Sequence, residues 1–255
     1  MLNLLENIRI VLLGTSHPGN IGSAARAIKT MGLTKLYLVN PKQFPDPQAD
    51  ALASGAVDIL ENAIVCQNIE EALTGTIYAV GLTARRRDLA HTVIDLPQCR
   101  QAILQRATRG EIAFVFGNET SGLSNDELAH CQQSITIPTN AEYGSLNLAA
   151  TVQIVTYEMR QAALELGHQK QEAVRHHVAV GAKPATYEEI QGFLTHLETI
   201  LYDLKYLNPK APKRLMPRLT RLFARAELEQ DEIHLLRGIL TAVHHLDEKL
   251  KDNTK

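Results

Sequence analysis

The chain has 255 residues, 45% of them hydrophobic and 21% charged, with 26 basic and 28 acidic side chains and a formal net charge of −2. That usage is ordinary for a globular protein and excludes a disordered or low-complexity chain. No apolar run approaches the roughly 18 residues of a membrane span, and Cys66, Cys99 and Cys131 are too few and too widely spaced for a disulfide framework or a zinc cluster, which leaves idle thiols in a reducing cytoplasm.

Residues 1–7 carry Glu6 and no basic cluster, so no secretory leader is expected. The β-branched run 8–13 reads as a buried strand ended by Gly14, and 20–31 as a helix with small residues early on. A second strand is expected at 36–39, stopped by Asn40-Pro41, then a loop at Pro45 and Pro47 and a helix over 48–60. Short strands follow at 63–66, 77–80 and 113–116, with helices at 69–74 and 96–108 between them. A short helix at 125–131, a last strand at 135–137 closed by Pro138 and a long helix at 146–166 complete this part. Strands alternating with helices predict an α/β domain with a parallel sheet.

The texture then changes. Residues 167–185 are polar and read as a linker between a domain at 1–166 and a helical extension at 186–255. Thr186 is placed to cap a helix running to 206, with Glu189 as its capping-box partner, and further helices are expected at 215–226 and 231–250. Charge is divided unevenly. Residues 1–169 hold 12 basic and 16 acidic side chains, whereas 170–255 hold 14 and 12. Arg214, Arg218, Arg221 and Arg225 recur at helical spacing with no acid between them. Such a face is either solvated or a contact for an RNA backbone.

Three loops could carry chemistry: Gly14-Thr-Ser-His-Pro-Gly-Asn-Ile-Gly22, Phe116-Gly-Asn-Glu-Thr-Ser-Gly-Leu-Ser124 and Ile137-Pro-Thr-Asn-Ala-Glu-Tyr-Gly-Ser-Leu-Asn-Leu148. The first matches neither common phosphate-binding fingerprint. The two glycines of the second suggest positive φ or the close approach of a ligand. All three follow strands, and open α/β sheets bind ligands at the carboxyl ends of their strands. His17 lies inside the first motif as a candidate base, although the Pro18-Gly19 turn beside it favours a structural role. The pairs His176-His177 and His244-His245 have poor geometry for one metal and read as surface.

These three motifs, in this order and spacing, resemble those of the SPOUT superfamily of RNA methyltransferases. More narrowly they resemble the TrmH-like ribose methyltransferases and the bacterial TrmJ family of tRNA (cytidine/uridine-32)-2'-O-methyltransferases. The resemblance covers residues 7–166, and the helical tail fits the same family more loosely. It implies a trefoil-knotted α/β domain, S-adenosylmethionine as methyl donor without a metal, a cytoplasmic homodimer whose sites are completed by the partner chain, and tRNA as substrate. Carried over residue by residue, it implies donor contacts at Leu82, Thr83, Ala84, Gly117, Ile137, Ser145, Leu146 and Asn147. It assigns Arg26, Asn20, Glu119 and Ser145 to the catalytic set, and RNA contacts to Arg85 and Arg87; for Arg214, Arg218, Arg221 and Arg225 an RNA contact is expected from their spacing alone. Leu82 departs from the small polar residue expected there, which points to a backbone contact.

A guanidinium, with a pKa above about 12, does not readily give up a proton. Arg26 is therefore expected to clamp the target phosphate or the developing 2'-oxyanion. Glu119 could instead cap a helix or pair with an arginine, and Ser145 and Asn147 could cap the long helix. Two alternatives remain: a ribosomal-RNA ribose methyltransferase of the same superfamily, which usually carries its RNA-binding extension before the catalytic domain, and an RNA-binding module without catalysis.

Overall fold

The computed structural model describes residues 2–83, 93–140, 142–169, 183–208 and 214–252. The chain forms two compact units, Met1–His176 and His177–Lys255.

In the first unit, β1 (Ile8–Leu13) lies mid-sheet and is buried along its whole length, as a strand apolar but for Arg9 and covered on both faces must be. It pairs in parallel with β2 (Lys35–Val39) on one side and β6 (Glu111–Phe116) on the other. With β3 (Ile64–Cys66), β4 (Thr76–Leu82), β5 (Val93–Asp95) and β7 (Gln133–Thr136) the sheet has seven parallel strands in the order β3-β2-β1-β6-β4-β7-β5. Because β4 separates β6 from β7, the connection between those two strands crosses a face of β4. Leu123, Leu128 and Cys131 of that connection pack so closely there that a Cβ on Gly81 would touch all three.

Helices α1 (Pro18–Met31), α2 (Pro47–Ala53), α3 (Val57–Glu61), α4 (Ile69–Leu73), α5 (Leu96–Arg106), α6 (Asn125–Ala129) and α7 (Leu148–Gln169) flank the sheet. The core joins strand residues Ile10, Leu12, Phe114 and Phe116 to Ile28 of α1 and Val152, Val155 and Met159 of α7. Helix α1 starts at Pro18, two residues before the expected Asn20, since proline is at home in a first turn. It ends at Gly32, in the left-handed region at φ 83°. The small residues early in α1 serve helix packing: a Cβ on Gly22 would sit 2.0 Å from the Ala49 carbonyl oxygen of α2.

Two expectations are corrected. The helix expected over 48–60 is three pieces, α2, a 3-10 turn at Ser54–Ala56 and α3, broken where Ser54 adopts φ 53°. Strand β5 was not expected, because three residues are too short a run to show a period.

In the second unit, α8 (Tyr187–Asp203) begins at the Thr186 cap, with the reciprocal Glu189 bond in place. It packs against α10 (Gln230–Asp252), and Phe193, Leu194 and Ile233 form the core. Phe223 of α9 (Leu215–Ala226) meets Phe193 edge to face at 4.8 Å. Residues 183–185 of the expected linker hydrogen-bond to this unit, Ala185 N–H donating to the Leu228 carbonyl at 2.8 Å and Gln230 N–H to that of Lys183 at 2.9 Å. His176 and His177 lie outside the described residues.

Candidate active site

Parallel pairing puts the carboxyl ends of β1, β4, β6 and β7 on one edge of the sheet, and the three motif loops leave from that edge. The first loop turns at Gly14, φ 58°, whose N–H donates to the Val39 carbonyl. The second folds back on itself. Asn118 Oδ1 accepts from the N–H groups of Thr120 and Ser121 and from the Ser121 hydroxyl, at 2.8–3.0 Å. Gly122 N–H donates to the Asn118 carbonyl, with Gly122 at φ 67°. Gly117 has no room for a side chain: a Cβ would lie 2.1 Å from the Gly122 carbonyl carbon. The close approach that this glycine permits is by its own loop. The third loop ends at Asn147, whose Oδ1 accepts from Ala149 N–H at 2.9 Å and Ala150 N–H at 3.3 Å and so caps α7.

The loops are tied together by one hydrogen-bond relay. Asn147 Nδ2 donates to Asn20 Oδ1 at 2.9 Å, and Asn20 Nδ2 donates to Glu119 Oε1 at 2.9 Å. Glu119 also accepts from Ser16 N–H and Oγ, at 3.1 and 2.9 Å, and from His17 N–H at 3.3 Å. Burial raises the Glu119 pKa, but the donors of Asn20 and Ser16 outweigh it and hold the carboxyl at about 2. Glu119 is therefore a fixed anion that organises the loops, and as a base it is too weak at neutral pH. Among the described residues its partners are Ser16, His17 and Asn20, and neither the helix cap nor the arginine pair considered for it is seen there.

Between the second and third loops and the ends of β4 and β7 lies a cavity of about 340 Å³. Leu82, Thr83, Gly117, Ile137, Ser145 and Leu146, all expected at a donor pocket, line it, together with Glu119. Asn147, also expected there, is not among the lining residues; its side chain makes the cap and the relay. Ala84, Arg85 and Arg87 lie outside the described residues. Arg26 is exposed on α1 and is not among the lining residues, and it has no hydrogen-bond or ion-pair partner among the described residues. At the start of α9 and along it, Arg214, Arg218 and Arg225 are exposed, while Arg221, Leu215, Leu219 and Phe223 are half-buried. His17 acts through its backbone, and its imidazole is exposed.

The sequence reading missed Ser16 and Asn118. Asn118, three residues before Ser121 in a glycine-flanked loop, carried an Asx-turn signal that could have found it. Ser16 carried none, since its partner lies 103 residues away. Among the described residues no group of three His, Cys, Asp or Glu side chains is placed to hold a metal, and no helix is long and apolar enough to cross a membrane.

The parallel sheet with a cavity among loops at its carboxyl edge defines a ligand-binding α/β protein. The profile of the SpoU rRNA methylase family matches residues 7–157, and the chain belongs to that family. A second profile, the C-terminal domain of the tRNA methyltransferase TrmJ, matches residues 188–254. The chain is 46% identical over 242 residues to the tRNA (cytidine/uridine-2'-O-)-methyltransferase TrmJ of Sodalis glossinidius, spanning 95% of this chain and 93% of that protein. It is 45% identical over 241 residues to the tRNA (cytidine/uridine/adenosine-2'-O-)-methyltransferase TrmJ of Pseudomonas aeruginosa, spanning 93% and 94%. The crystal structure of TrmJ from Z. mobilis ZM4 superposes with a TM-score of 0.79 at 31% identity, over 92% of this chain and 98% of that one. Within the SpoU family, the chain falls among the TrmJ proteins.

Proposed function

We propose that this protein is a cytoplasmic tRNA 2'-O-ribose methyltransferase that uses S-adenosylmethionine and acts at the pyrimidine of position 32. The observation that carries this reading is the relay joining Asn147, Asn20 and Glu119, which ties the first loop to the second and third loops that wall the cavity. The relatives' names span cytidine, uridine and adenosine, so some tolerance of the base belongs to the reading. The trefoil knot is part of it as well, as an expectation from the family.

The cavity fits the donor. Its volume of about 340 Å³ is within the range of small-molecule sites. Leu82, Ile137 and Leu146 offer an apolar wall, and Glu119 a fixed negative charge, next to a group that is itself cationic. When bound, the donor supplies an electrophilic methyl group on a sulfonium sulfur. The chain's own residues then have three tasks: to hold the donor between the second and third loops, to align the ribose 2'-hydroxyl in line with the methyl, and to stabilise charge as that hydroxyl loses its proton.

Arg26 is suited to the last task but is not among the residues lining its own cavity, which supports a homodimer in which each Arg26 serves the partner's cavity. The tail arginines supply phosphate contacts.

The deciding experiment incubates purified protein with labelled S-adenosylmethionine and bulk tRNA or rRNA and maps the methylated nucleotide by mass spectrometry. Label in tRNA at the ribose of nucleotide 32 is expected; label in rRNA alone overturns the reading. Arg26→Ala should lower kcat by roughly 10²–10³-fold with little change in thermal stability. Full activity in that variant would remove Arg26 from the catalytic set.

A further inference from the structure

The third loop presents an aromatic ring that the site so far does not use. Tyr143 is 82% exposed, the largest value among the exposed large apolar and aromatic residues described. It immediately precedes Gly144, Ser145 and Leu146, which line the cavity, and it is not itself part of the wall. Its backbone is fixed. Tyr143 N–H donates to the Asn140 carbonyl at 3.2 Å, Glu142 N–H to Asn140 Oδ1 at 3.0 Å, and Thr139 Oγ1 to the Gly144 carbonyl at 3.3 Å. The turn is tight enough that a Cβ on Gly144 would meet Thr139 Oγ1 at 2.9 Å. A braced turn thus holds an exposed π surface on the residue that immediately precedes three residues of the cavity wall. Leaving a ring exposed forfeits the burial that normally stabilises a tyrosine.

The chemistry of the reaction says what would cover it. A ribose whose 2'-oxygen reaches into the cavity mouth brings its base with it, since C1', which bears the base, is bonded to C2'. That nucleotide has to leave its stack in the loop of the RNA, and single-stranded bases displaced in this way are commonly received by aromatic side chains. The neighbouring Glu142, exposed and acidic, disfavours a phosphate at this spot and leaves an uncharged base as the suitable occupant.

We propose that Tyr143 forms a nucleobase subsite at the lip of the donor cavity and stacks on the base of the nucleotide being methylated. The proposal rests on the reading of the protein as an RNA 2'-O-methyltransferase. Stacking is blind to base identity, because every base has a π face. The subsite would therefore give affinity while tolerating more than one base.

The test uses the full chain, as wild type, Tyr143→Phe and Tyr143→Ala, with an anticodon stem-loop and with the same stem-loop made abasic at the target ribose. Tyr143→Ala should raise KM for the intact stem-loop by about 5- to 150-fold, the range for loss of one base–aromatic stack. Tyr143→Phe should stay near wild type. S-adenosylhomocysteine affinity and the sedimentation mass should not move. Wild type should bind the abasic stem-loop about as weakly as Tyr143→Ala binds the intact one, and removing both ring and base should cost no more than removing either.

An unchanged KM in Tyr143→Ala overturns the proposal. So do fully additive losses, or a change in mass or donor affinity, which would mean that the ring packs against protein. If wild type transfers no methyl to tRNA, the functional reading itself fails. Transfer that is intact and indifferent to Tyr143 sinks only the subsite.

Discussion

Glu119 accepts from Ser16, His17 and Asn20, so its charge belongs to the scaffold of the site. Its carboxyl is held at about 2, below the ordinary 4.5. A depressed folded value means that the stabilisation is present above the unfolded value and lost as pH falls from about 4.5 toward 2. Glu119→Gln should therefore lower stability at neutral pH, because an amide nitrogen would face a donor, and should flatten the acid limb of a denaturation curve taken through that window. An acid limb as steep as that of wild type would contradict this account. Gly117 makes the same point through space. Gly117→Ala should cost about 1–3 kcal/mol, the scale of overpacking, and weaken donor-product binding, because the loop it deforms is a cavity wall. Calorimetry with S-adenosylhomocysteine and thermal melts would read both effects. From the sequence, Gly117 could be recognised as a tight spot. That its neighbour is Gly122 and not a ligand depends on how the loop closes, and no local propensity encodes that.

Among elements, the sheet's amino edge carries a charge cluster far along the strands from the site. Arg9, 5% exposed at the start of β1, donates to the Ala72 and Thr74 carbonyls at 2.7 and 2.9 Å and to Glu111 at the start of β6. Lys35 of β2 pairs with the other Glu111 oxygen, and the Arg9 guanidinium lies 4.2 Å from the Tyr37 ring centre. Arg9→Ala strands the Ala72 and Thr74 carbonyls and leaves half-buried Glu111 with Lys35 alone, so it should cost about 1–3 kcal/mol in chemical denaturation. Donor affinity per folded molecule should stay unchanged, since the cavity is at the opposite strand ends. Where α1 meets α2, Gly22→Ala should destabilise by about 1–3 kcal/mol, because backbone stands where the methyl would go. Elements with a clear period or cap were legible: β1, α9 and the Thr186 start of α8 lie where their residues put them. The break at Ser54 and the three-residue β5 were not, because the first depends on two pieces packing separately on α1 and the second on β7 alone.

On the scale of the molecule, the alternation of strands and helices made the parallel sheet legible, but the order β3-β2-β1-β6-β4-β7-β5 was not, since long-range pairing leaves no trace in local pattern. Truncation after residue 176 should leave a folded first unit that binds S-adenosylhomocysteine, while tRNA affinity falls. Replacing Arg214, Arg218, Arg221 and Arg225 by Ala should weaken tRNA binding and reduce its salt slope by about one for each phosphate no longer neutralised. Unchanged slope would make that face merely solvated. The relay has one more consequence, in time. Asn20 and Asn147 are 127 residues apart. At a synthesis rate of about 5–20 residues per second, the first loop waits on the order of ten seconds on the ribosome for the side chain that completes it. During that interval Asn20 has no Asn147 to receive from, and α7 has no cap. The site therefore closes in the same event that starts the last helix of the first unit, and no nascent chain short of residue 147 carries a finished methyltransferase centre.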